Sequence, residues 1–512
     1  MDKAALKNNE FNRTNNANTD MTPEFILPIE KTIQSPLYGR DNEINFLTRT
    51  YKQSGYRGVN IYGRRQVGKT SLLQYFCHVH PAIYYQVSST SSCKSIFCGL
   101  RNAAVAFLRK DHPDLAKLLL ELQDEEDIVT LIKGIIALSH KLNITLIIDE
   151  FPYLVEAVPD VCTELQAVID AIKRKPEYNF MLVLCGSNIG MMTDIVAETS
   201  PLYNRLKSYI IHPLPFGDCK YWLKQYPPED AFKIYAITDG IPGYLEDALQ
   251  FNSFEDYATE TFLLKDSPRI TPPALFYSNS INYGNAASIM KVIIDGETEL
   301  NKILQKCKLS VDTAIFTLNQ LIKSGAIYER RPLYSKRMHK NTRYAVADPF
   351  IVFWYKFLAN TLIGDKRLSN ISFEAIDNQI FSAFLGMRFE NVCAQYMHSI
   401  LQDILESGYW EDKIKTHDDR IRDGRHEIDI IVNTKQYLCL AECKFTTELI
   451  DKGIIDLLIL RGAKIDFPTQ GKTRQYYYFS RTGFTENAVT FAGSREDIKL
   501  ITYKDIYDHY FK

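Results

Sequence analysis

The sequence predicts an α/β chain: a P-loop NTPase core, then a helical lid, a winged helix-turn-helix and a C-terminal α/β domain. Three observations carry this. Gly63-Arg64-Arg65-Gln66-Val67-Gly68-Lys69-Thr70 fits G-x-x-x-x-G-K-[ST] completely, between the apolar-leaning run Gly58-Val59-Asn60-Ile61-Tyr62 and the helix-like Ser71-Leu72-Leu73-Gln74-Tyr75-Phe76. Ile144-Thr145-Leu146-Ile147-Ile148 is a continuous apolar run that ends in Asp149-Glu150. Beyond Asn285 the pattern changes to three helical segments and two strand-like runs, and nearer the C-terminus two further strands carry Asp429 and Glu442-x-Lys444.

Composition sets the bounds. A chain of 512 residues has room for about three or four domains. With 46% hydrophobic and 24% charged residues it reads as an ordinary soluble protein. A net charge of −2 excludes a chain that is basic throughout, so any nucleic-acid contact must come from a local patch. The ten cysteines include no C-x-x-C pair, and Cys93/Cys98 and Cys439/Cys443 lack a zinc partner set, so reduced thiols of a cytoplasmic protein are expected. No apolar run approaches the ~20 residues of a membrane span. The stretch from Lys3 to Asp20, rich in Asn, Thr and charge, has no signal-peptide core, and residues 1–34 are expected to be a disordered tail.

The core is expected over 35–215. Asp41 is a plausible N-cap for a helix from Glu43 to Tyr51. In the strand–loop–helix at Gly63–Ser71, glycines let backbone N–H groups close around phosphate oxygens and the helix N-terminus adds its positive dipole end. Gly63, Arg64, Arg65, Gln66, Val67, Gly68, Lys69, Thr70 and Ser71 form the candidate nucleotide cradle, with Lys69 on the β- and γ-phosphates and Thr70 on Mg²⁺. A short strand is expected over 82–87 and helical packing over 115–142. The apolar run at 144–148 reads as a strand buried on both faces, whose carboxyl end projects into the ligand crevice of a parallel sheet. Asp149 would then hold Mg²⁺ through water and Glu150 would polarise the attacking water. Phe180–Cys185 is a second buried strand, after which Ser187 and Asn188 both stand as candidates to touch the γ-phosphate or that water. Arg205 is a candidate to neutralise transition-state charge in its own or a neighbouring subunit of a homo-oligomer, with a surface ion pair as the alternative.

Residues 216–275 read as a helical lid, punctuated by the turn Thr238-Asp239-Gly240-Ile241-Pro242-Gly243. Residues 276–360 read as the winged helix. Its helical segments are Asn285–Asp295, Glu299–Cys307 and Ser310–Ser324, the last with Ser310 as N-cap, Val311, Ile315, Leu318 and Ile322 at helical spacing, and Gly325 at its end. Arg330, Arg331, Lys336, Arg337, His339, Lys340 and Arg343 make the hairpin basic, which suits phosphate contacts on duplex DNA; a solvated hairpin on a protein-packing winged helix is the alternative. Asp348–Tyr355 is an aromatic run expected in interdomain packing. Over 361–512, strands at 426–432 and 437–444 bring Asp429 and Glu442 to one place as Mg²⁺ ligands, with Lys444 positioning the attacking water and Glu390 completing the set from a helix around 381–400.

Taken together these residues resemble the archaeal-type P-loop ATPases of the AAA+/STAND group that carry a C-terminal DUF234 domain. The resemblance runs from about Ser35 to the C-terminus. It rests on Tyr38-Gly39-Arg40 with Glu43, Gly63–Thr70, Ile148-Asp149-Glu150, Gly186-Ser187, Ser200-Pro201-Leu202-Tyr203 and Gly240-Ile241-Pro242-Gly243-Tyr244-Leu245. It implies an AAA+-like ATP-binding core, a winged helix, and a restriction-endonuclease-like domain of the PD-(D/E)xK nuclease superfamily. Asn204 stands where the pattern has glycine before the arginine, and Asn188 where a second small hydroxyl residue is usual, which favours Ser187 for the sensor role. The two functions in competition are an ATP-driven switch acting on DNA, with a C-terminal nuclease, and a signalling or scaffolding ATPase that binds proteins.

Overall fold

Strands that are apolar on both faces need cover on both faces, and five of them assemble into one parallel sheet. β1 (Tyr56–Tyr62), β2 (Ile83–Gln86), β3 (Ile144–Asp149), β4 (Phe180–Gly186) and β5 (Lys207–Ile210) run in the order β2-β3-β4-β1-β5. Every residue of β3 and β4 is buried, the condition that a continuous apolar run anticipates. Alternate residues feed two cores: Ile147 and Val183 join Leu72 and Phe76 on one side, while Leu146, Ile148 and Leu184 join Ile132 and Ile135 on the other. The covering helices are α1 (Asp41–Tyr51), α2 (Lys69–Val79), α3 (Cys93–Arg109), α4 (Pro113–Leu120), α5 (Ile128–Leu138), α6 (Phe151–Ala157), α7 (Val161–Ile172) and α8 (Ile189–Asp194). The first helix begins two residues earlier than its sequence suggests. Arg40 occupies the N-cap position without a side-chain cap bond, and Asp41 lies in the first turn, where its charge favours the helix dipole.

This is a computed structural model, and it describes residues 37–121, 127–140, 142–267, 269, 282–334, 342–359, 362–363, 366–367, 370–371, 373–414, 424–465 and 472–512. The tail expected over 1–34 lies outside them.

After the sheet come α9 (Lys220–Leu223), α10 (Pro228–Thr238), α11 (Pro242–Ala248) and α12 (Phe254–Ala258). The unit expected as a winged helix consists of α13 (Tyr283–Ile294), α14 (Leu300–Lys306), α15 (Val311–Lys323) and the antiparallel pair β6 (Ile327–Arg330) and β7 (Arg343–Val346). Ser310 caps α15 by accepting from the Thr313 amide at 3.3 Å, and Gly325 takes the left-handed conformation (φ +73°) that ends it. The apolar stripe, however, is rotated from the expected one. Ala314, Thr317, Leu318 and Leu321 pack inward, while Val311 and Ile315 are 57% and 39% exposed.

The C-terminal part opens with α16 (Pro349–Phe353), a two-residue ribbon of β8 (Leu362–Ile363) and β9 (Lys366–Arg367), and the long α17 (Asn378–Ile400). A second sheet follows in the order β10-β11-β12-β13-β14, from β10 (Ile404–Ile414), β11 (Gly424–Thr434), β12 (Tyr437–Lys444), β13 (Thr473–Ser480) and β14 (Ile498–Thr502). The short turn between β11 and β12 makes them antiparallel. The crossovers through α18 (Lys452–Ala463) and α19 (Glu486–Gly493) make β12, β13 and β14 parallel. The final helix is α20 (Tyr503–Phe511).

The expected lid does not have a core of its own. Phe232 and Tyr235 of α10 share one hydrophobic cluster with Phe350, Phe353, Phe389, Phe479 and Tyr503, so the helices after the first sheet are packed into the C-terminal part. The aromatic run at 348–355 fills this junction, as interdomain packing requires.

Candidate functional site

Because β4 lies between β1 and β3, the turns leaving these three strands open at one end of the sheet. They border a cavity of about 780 Å³ lined by Gly68, Lys69, Thr70, Glu150, Ser187 and Gly243, among others. The loop after β1 turns at Gln66 (φ +61°) and Gly68 (φ +94°) before α2 begins at Lys69. Lys69 is only 5% exposed; its Nζ donates to the carbonyls of Gly63 and Arg64 at 2.8 and 2.9 Å. Burial pushes its ammonium below the usual range, outweighing the acids nearby.

Asp149 at the end of β3 is wholly buried. Its Oδ2 accepts from the Thr70 hydroxyl at 2.8 Å and from the Tyr84 hydroxyl at 2.9 Å, and its Oδ1 accepts from the Glu150 amide at 2.9 Å. Glu150 is held in the left-handed region (φ +54°), a conformation that costs a non-glycine residue about 1–3 kcal/mol. That turn aims its carboxylate at Ser187, whose hydroxyl donates to Oε1 at 2.6 Å and whose amide donates to Oε2 at 3.3 Å. Asn188 is occupied otherwise: its Oδ1 caps α8 by accepting from the Met191 amide at 3.1 Å.

The loop is braced from outside. Arg40, 3% exposed, donates to the carbonyls of Val67 and His212 at 2.7 and 2.8 Å. The Gly243 amide donates to the Gln66 carbonyl at 3.1 Å, and a Cβ on Gly243 would lie 2.6 Å from the Gln66 Cβ, so the approach requires glycine. Arg64 turns away from the cavity toward Asp239, the Ala347 carbonyl (3.2 Å) and Asp348 (3.5 Å). Asp239 also holds Arg388 of α17, so one carboxylate joins the loop to the helix that carries Glu390. Arg65 lines the cavity with Lys69. Arg205 stands apart from these groups. It is not among the lining residues, and Asp170 accepts from its Nε and Nη2 at 2.9 and 2.6 Å in a surface ion pair.

A second polar cluster lies in the C-terminal sheet. Pairing of β11 with β12 ends at Ile430 and Ala441, and Asp429 and Glu442 are the next residues on either strand. Asp429 Oδ2 accepts from the Cys443 amide at 2.8 Å. Glu442, 5% exposed, is bound by Lys444 Nζ at 2.6 Å and by Arg461 of α18 at 3.1 Å. Burial opposes the charge of Lys444, but Glu442 outweighs it and holds the ammonium above its usual range. Burial first, then Glu442, raises the Asp429 carboxyl; burial and then Asp429 raise Glu390 on α17. Among the described residues, no three His, Cys, Asp or Glu side chains converge as a metal cage. All ten cysteines are free thiols.

Two of the hairpin arginines, Arg343 and Arg330, face this sheet. Arg343 pairs with Glu411 at 2.7 Å and with Glu299 at 3.6 Å, Arg331 pairs with Glu329 at 2.6 Å, and Arg330 lies over the Tyr409 ring. Lys336, Arg337, His339 and Lys340 lie outside the described residues. Sequence reasoning missed Tyr84, Asp239 and Arg461 as members of these sites; Asp239 stands in the turn at Thr238–Gly243 but with no role given to it there, and each reaches its partner only through the fold. Arg40 was within reach, since it stands in Tyr38-Gly39-Arg40.

The parallel sheet and this loop define an α/β P-loop nucleotide-binding domain. Residues 37–248 match the model of a family described as an ATPase domain predominantly from Archaea. Over 362 residues the chain is 25% identical to an uncharacterized protein of Methanocaldococcus jannaschii, covering 70% of this chain and 76% of that protein. Among solved structures, the Walker-type ATPase of Pyrococcus abyssi is 16% identical over 62% of this chain and 96% of its own, with a TM-score of 0.45. The ORC2 protein of Aeropyrum pernix, solved as ADPNP–ADP complexes, is 12% identical over 64% of this chain and 94% of its own, with a TM-score of 0.42. No helix of the described residues is long and apolar enough to cross a membrane.

Proposed function

We propose that the first cavity binds and hydrolyses ATP, and that the chain uses this ATPase as a switch for metal-dependent chemistry on DNA at its C-terminal site. The observation that carries the first part is the meeting of three strand ends, with Lys69, the Thr70–Asp149 pair and the Glu150–Ser187 pair, around one cavity. The donor set fits a nucleotide with Mg²⁺: Thr70 and Asp149 are hard oxygen ligands already in contact, and Gly63–Ser71 supply backbone N–H groups for phosphates. Bound Mg²⁺ would neutralise phosphate charge. Lys69 would exchange its loop carbonyls for phosphate oxygens, and Glu150, steadied by Ser187, would take the proton of the attacking water. Arg205 has no part in this reading. The test is Glu150→Gln, expected to bind ATP and retain it unhydrolysed; wild-type turnover in this variant would remove Glu150 from the role.

For the C-terminal site, the supporting observation is the Asp429/Glu442/Lys444 set where β11 and β12 diverge, with the Asp429 and Glu390 carboxyls raised first by burial and then by a neighbouring carboxylate. Mg²⁺ is commonly held by one or two carboxylates together with substrate phosphate oxygens. Asp429 and Glu442 would hold the cation, Glu390 would assist from α17, and Lys444 would position water for phosphodiester cleavage. Cleavage of labelled DNA should require Mg²⁺ or Mn²⁺ and disappear in both Asp429→Ala and Lys444→Ala.

A second reading has its own observation. The outer face of α15 carries exposed Val311, Ile315 and Phe316 beside Asp312, a surface suited to protein rather than to phosphate. On this reading the helix–hairpin unit is a protein-binding winged helix in a scaffolding ATPase.

A further inference from the structure

Two polar groups beside the C-terminal cluster remain unused by the roles given above, and both lie where the hairpin meets the second sheet. Arg330, the last residue of β6, is half-buried with its guanidinium carbon 4.6 Å from the centre of the Tyr409 ring. Its neighbours Arg331 and Arg343 are tied to Glu329 and Glu411, but Arg330 has no ion pair or hydrogen bond among the described residues. Tyr409 is 5% exposed, and its buried hydroxyl likewise finds no hydrogen-bond partner.

The register places both groups beside Asp429. Gly408 pairs with Ile431 and Trp410 with Ile428, so β11 holds one extra residue, at Asp429–Ile430, opposite Tyr409. Trp410 and Ile428 pack in the core under α18, which turns Tyr409 to the other face, where Ile430 packs with Phe389 of α17. Glu390 follows Phe389 on that helix. Burial first and then Asp429 raise its carboxyl, and the Arg330 guanidinium opposes them. An arginine left unpaired among carboxylates, next to an unpaired buried hydroxyl, is a donor pair whose acceptor is not supplied by the described residues. Guanidinium donors match the oxygens of a phosphate.

We propose that Arg330 and the Tyr409 hydroxyl form the phosphate-binding edge of the C-terminal site and contact a phosphodiester of a DNA strand beside Asp429. This rests on reading that site as one for metal-dependent phosphodiester chemistry. It makes the site composite: the hairpin unit contributes a phosphate contact to the acids of the second sheet, and does not act only on a duplex of its own.

The full chain is tested with end-labelled single-stranded and duplex DNA, for binding by anisotropy in Ca²⁺ across salt and for cleavage in Mg²⁺ or Mn²⁺. Arg330→Ala should weaken binding about tenfold and lower the slope of log affinity against log salt by about one. Tyr409→Phe should weaken binding about threefold, and Arg330→Lys should restore part of the loss and the slope. Lys504→Ala, a surface change on α20, is the control. Thermal melts of each variant separate lost folding from lost contact. Wild-type affinity and slope in Arg330→Ala overturn the proposal while leaving the C-terminal site intact if Asp429→Ala abolishes cleavage. A wild-type chain that neither binds nor cuts DNA with either metal overturns the reading of the site, and this proposal with it.

Discussion

Replacing Asp239 tests how the nucleotide loop is joined to the C-terminal part. Its carboxylate holds Arg64 of the loop and Arg388 of α17, and the three side chains are 17%, 18% and 13% exposed. Removing one partner of a fully buried pair costs about 3–5 kcal/mol because the other charge is left uncompensated. Here two features reduce that figure. Solvent reaches all three groups, and Arg64 keeps Asp348 at 3.5 Å and the Ala347 carbonyl at 3.2 Å. Arg388 has no second carboxylate among the described ion pairs, and its Nε already lacks a partner. The loss in Asp239→Asn should therefore be about 2 kcal/mol, most of it from Arg388. Urea unfolding of Asp239→Asn, Arg388→Met and the double variant measures this as a cycle. The double variant should lose less than the sum of the singles by about 1 kcal/mol or more. Single effects that add within about 0.5 kcal/mol would show that the pair contributes no coupling and would refute the argument.

Other substitutions probe the separate pieces. In Lys69→Ala, ATP should no longer raise the melting temperature, whereas in the wild type saturation at a hundred times Kd stabilises by about 2.7 kcal/mol. Ser187→Ala removes the 2.6 Å bond that orients Glu150, and steady-state kinetics should show kcat lowered about tenfold with KM unchanged. Tyr84→Phe leaves Asp149 one donor short and should lower stability by about 1 kcal/mol in urea. On α15, Leu318→Ala should cost about 2–4 kcal/mol and Ile315→Ala less than about 0.5 kcal/mol, since Leu318 is 3% exposed and Ile315 39%.

What was legible in the sequence follows the range over which each signal acts. The loop at 63–70, the buried strand at 144–149 and the cap at Ser310 are set by neighbours within a few residues, and each lies where its local chemistry put it. The choice between Ser187 and Asn188 depended on geometry that sequence spacing does not contain. Asn188 is consumed by the first turn of α8, while Ser187 lies within reach of Glu150. The stripe of α15 was rotated because Val311, Ile315, Leu318 and Ile322 fit helical spacing as well as Ala314, Thr317, Leu318 and Leu321 do. Which set turns inward is decided by α13 and β6, against which α15 packs. The lid's place in the C-terminal core was hidden for the same reason, since its partners Phe389 and Tyr503 lie more than a hundred residues further along.

The hairpin shows how far charge can mislead when read along the chain alone. A run of arginines and lysines between two strands has a single acid beside it, Glu329, so it reads as a surface for phosphate. In the fold, Glu299 from the helices before it and Glu411 from β10 close on Arg343, and Glu411 also takes Arg425 at 2.9 Å. Glu411 is 6% exposed and Arg343 is enclosed with it, so the charge of Arg343 is spent within the protein, while Arg425 joins the pair from the surface. Local basic density therefore overstates the charge available to DNA by the number of arginines that the fold neutralises. Among the described hairpin arginines Arg343 is neutralised in this way, Arg331 is held only by a surface pair with Glu329, and Arg330 has no ion pair. The salt dependence of DNA binding should accordingly respond to Arg330→Ala and remain flat for Arg343→Ala, whose loss would appear instead as weaker docking of the hairpin on the sheet, read as a lower melting temperature. A slope that falls equally in both variants would mean that Arg343 leaves Glu411 for phosphate when DNA binds.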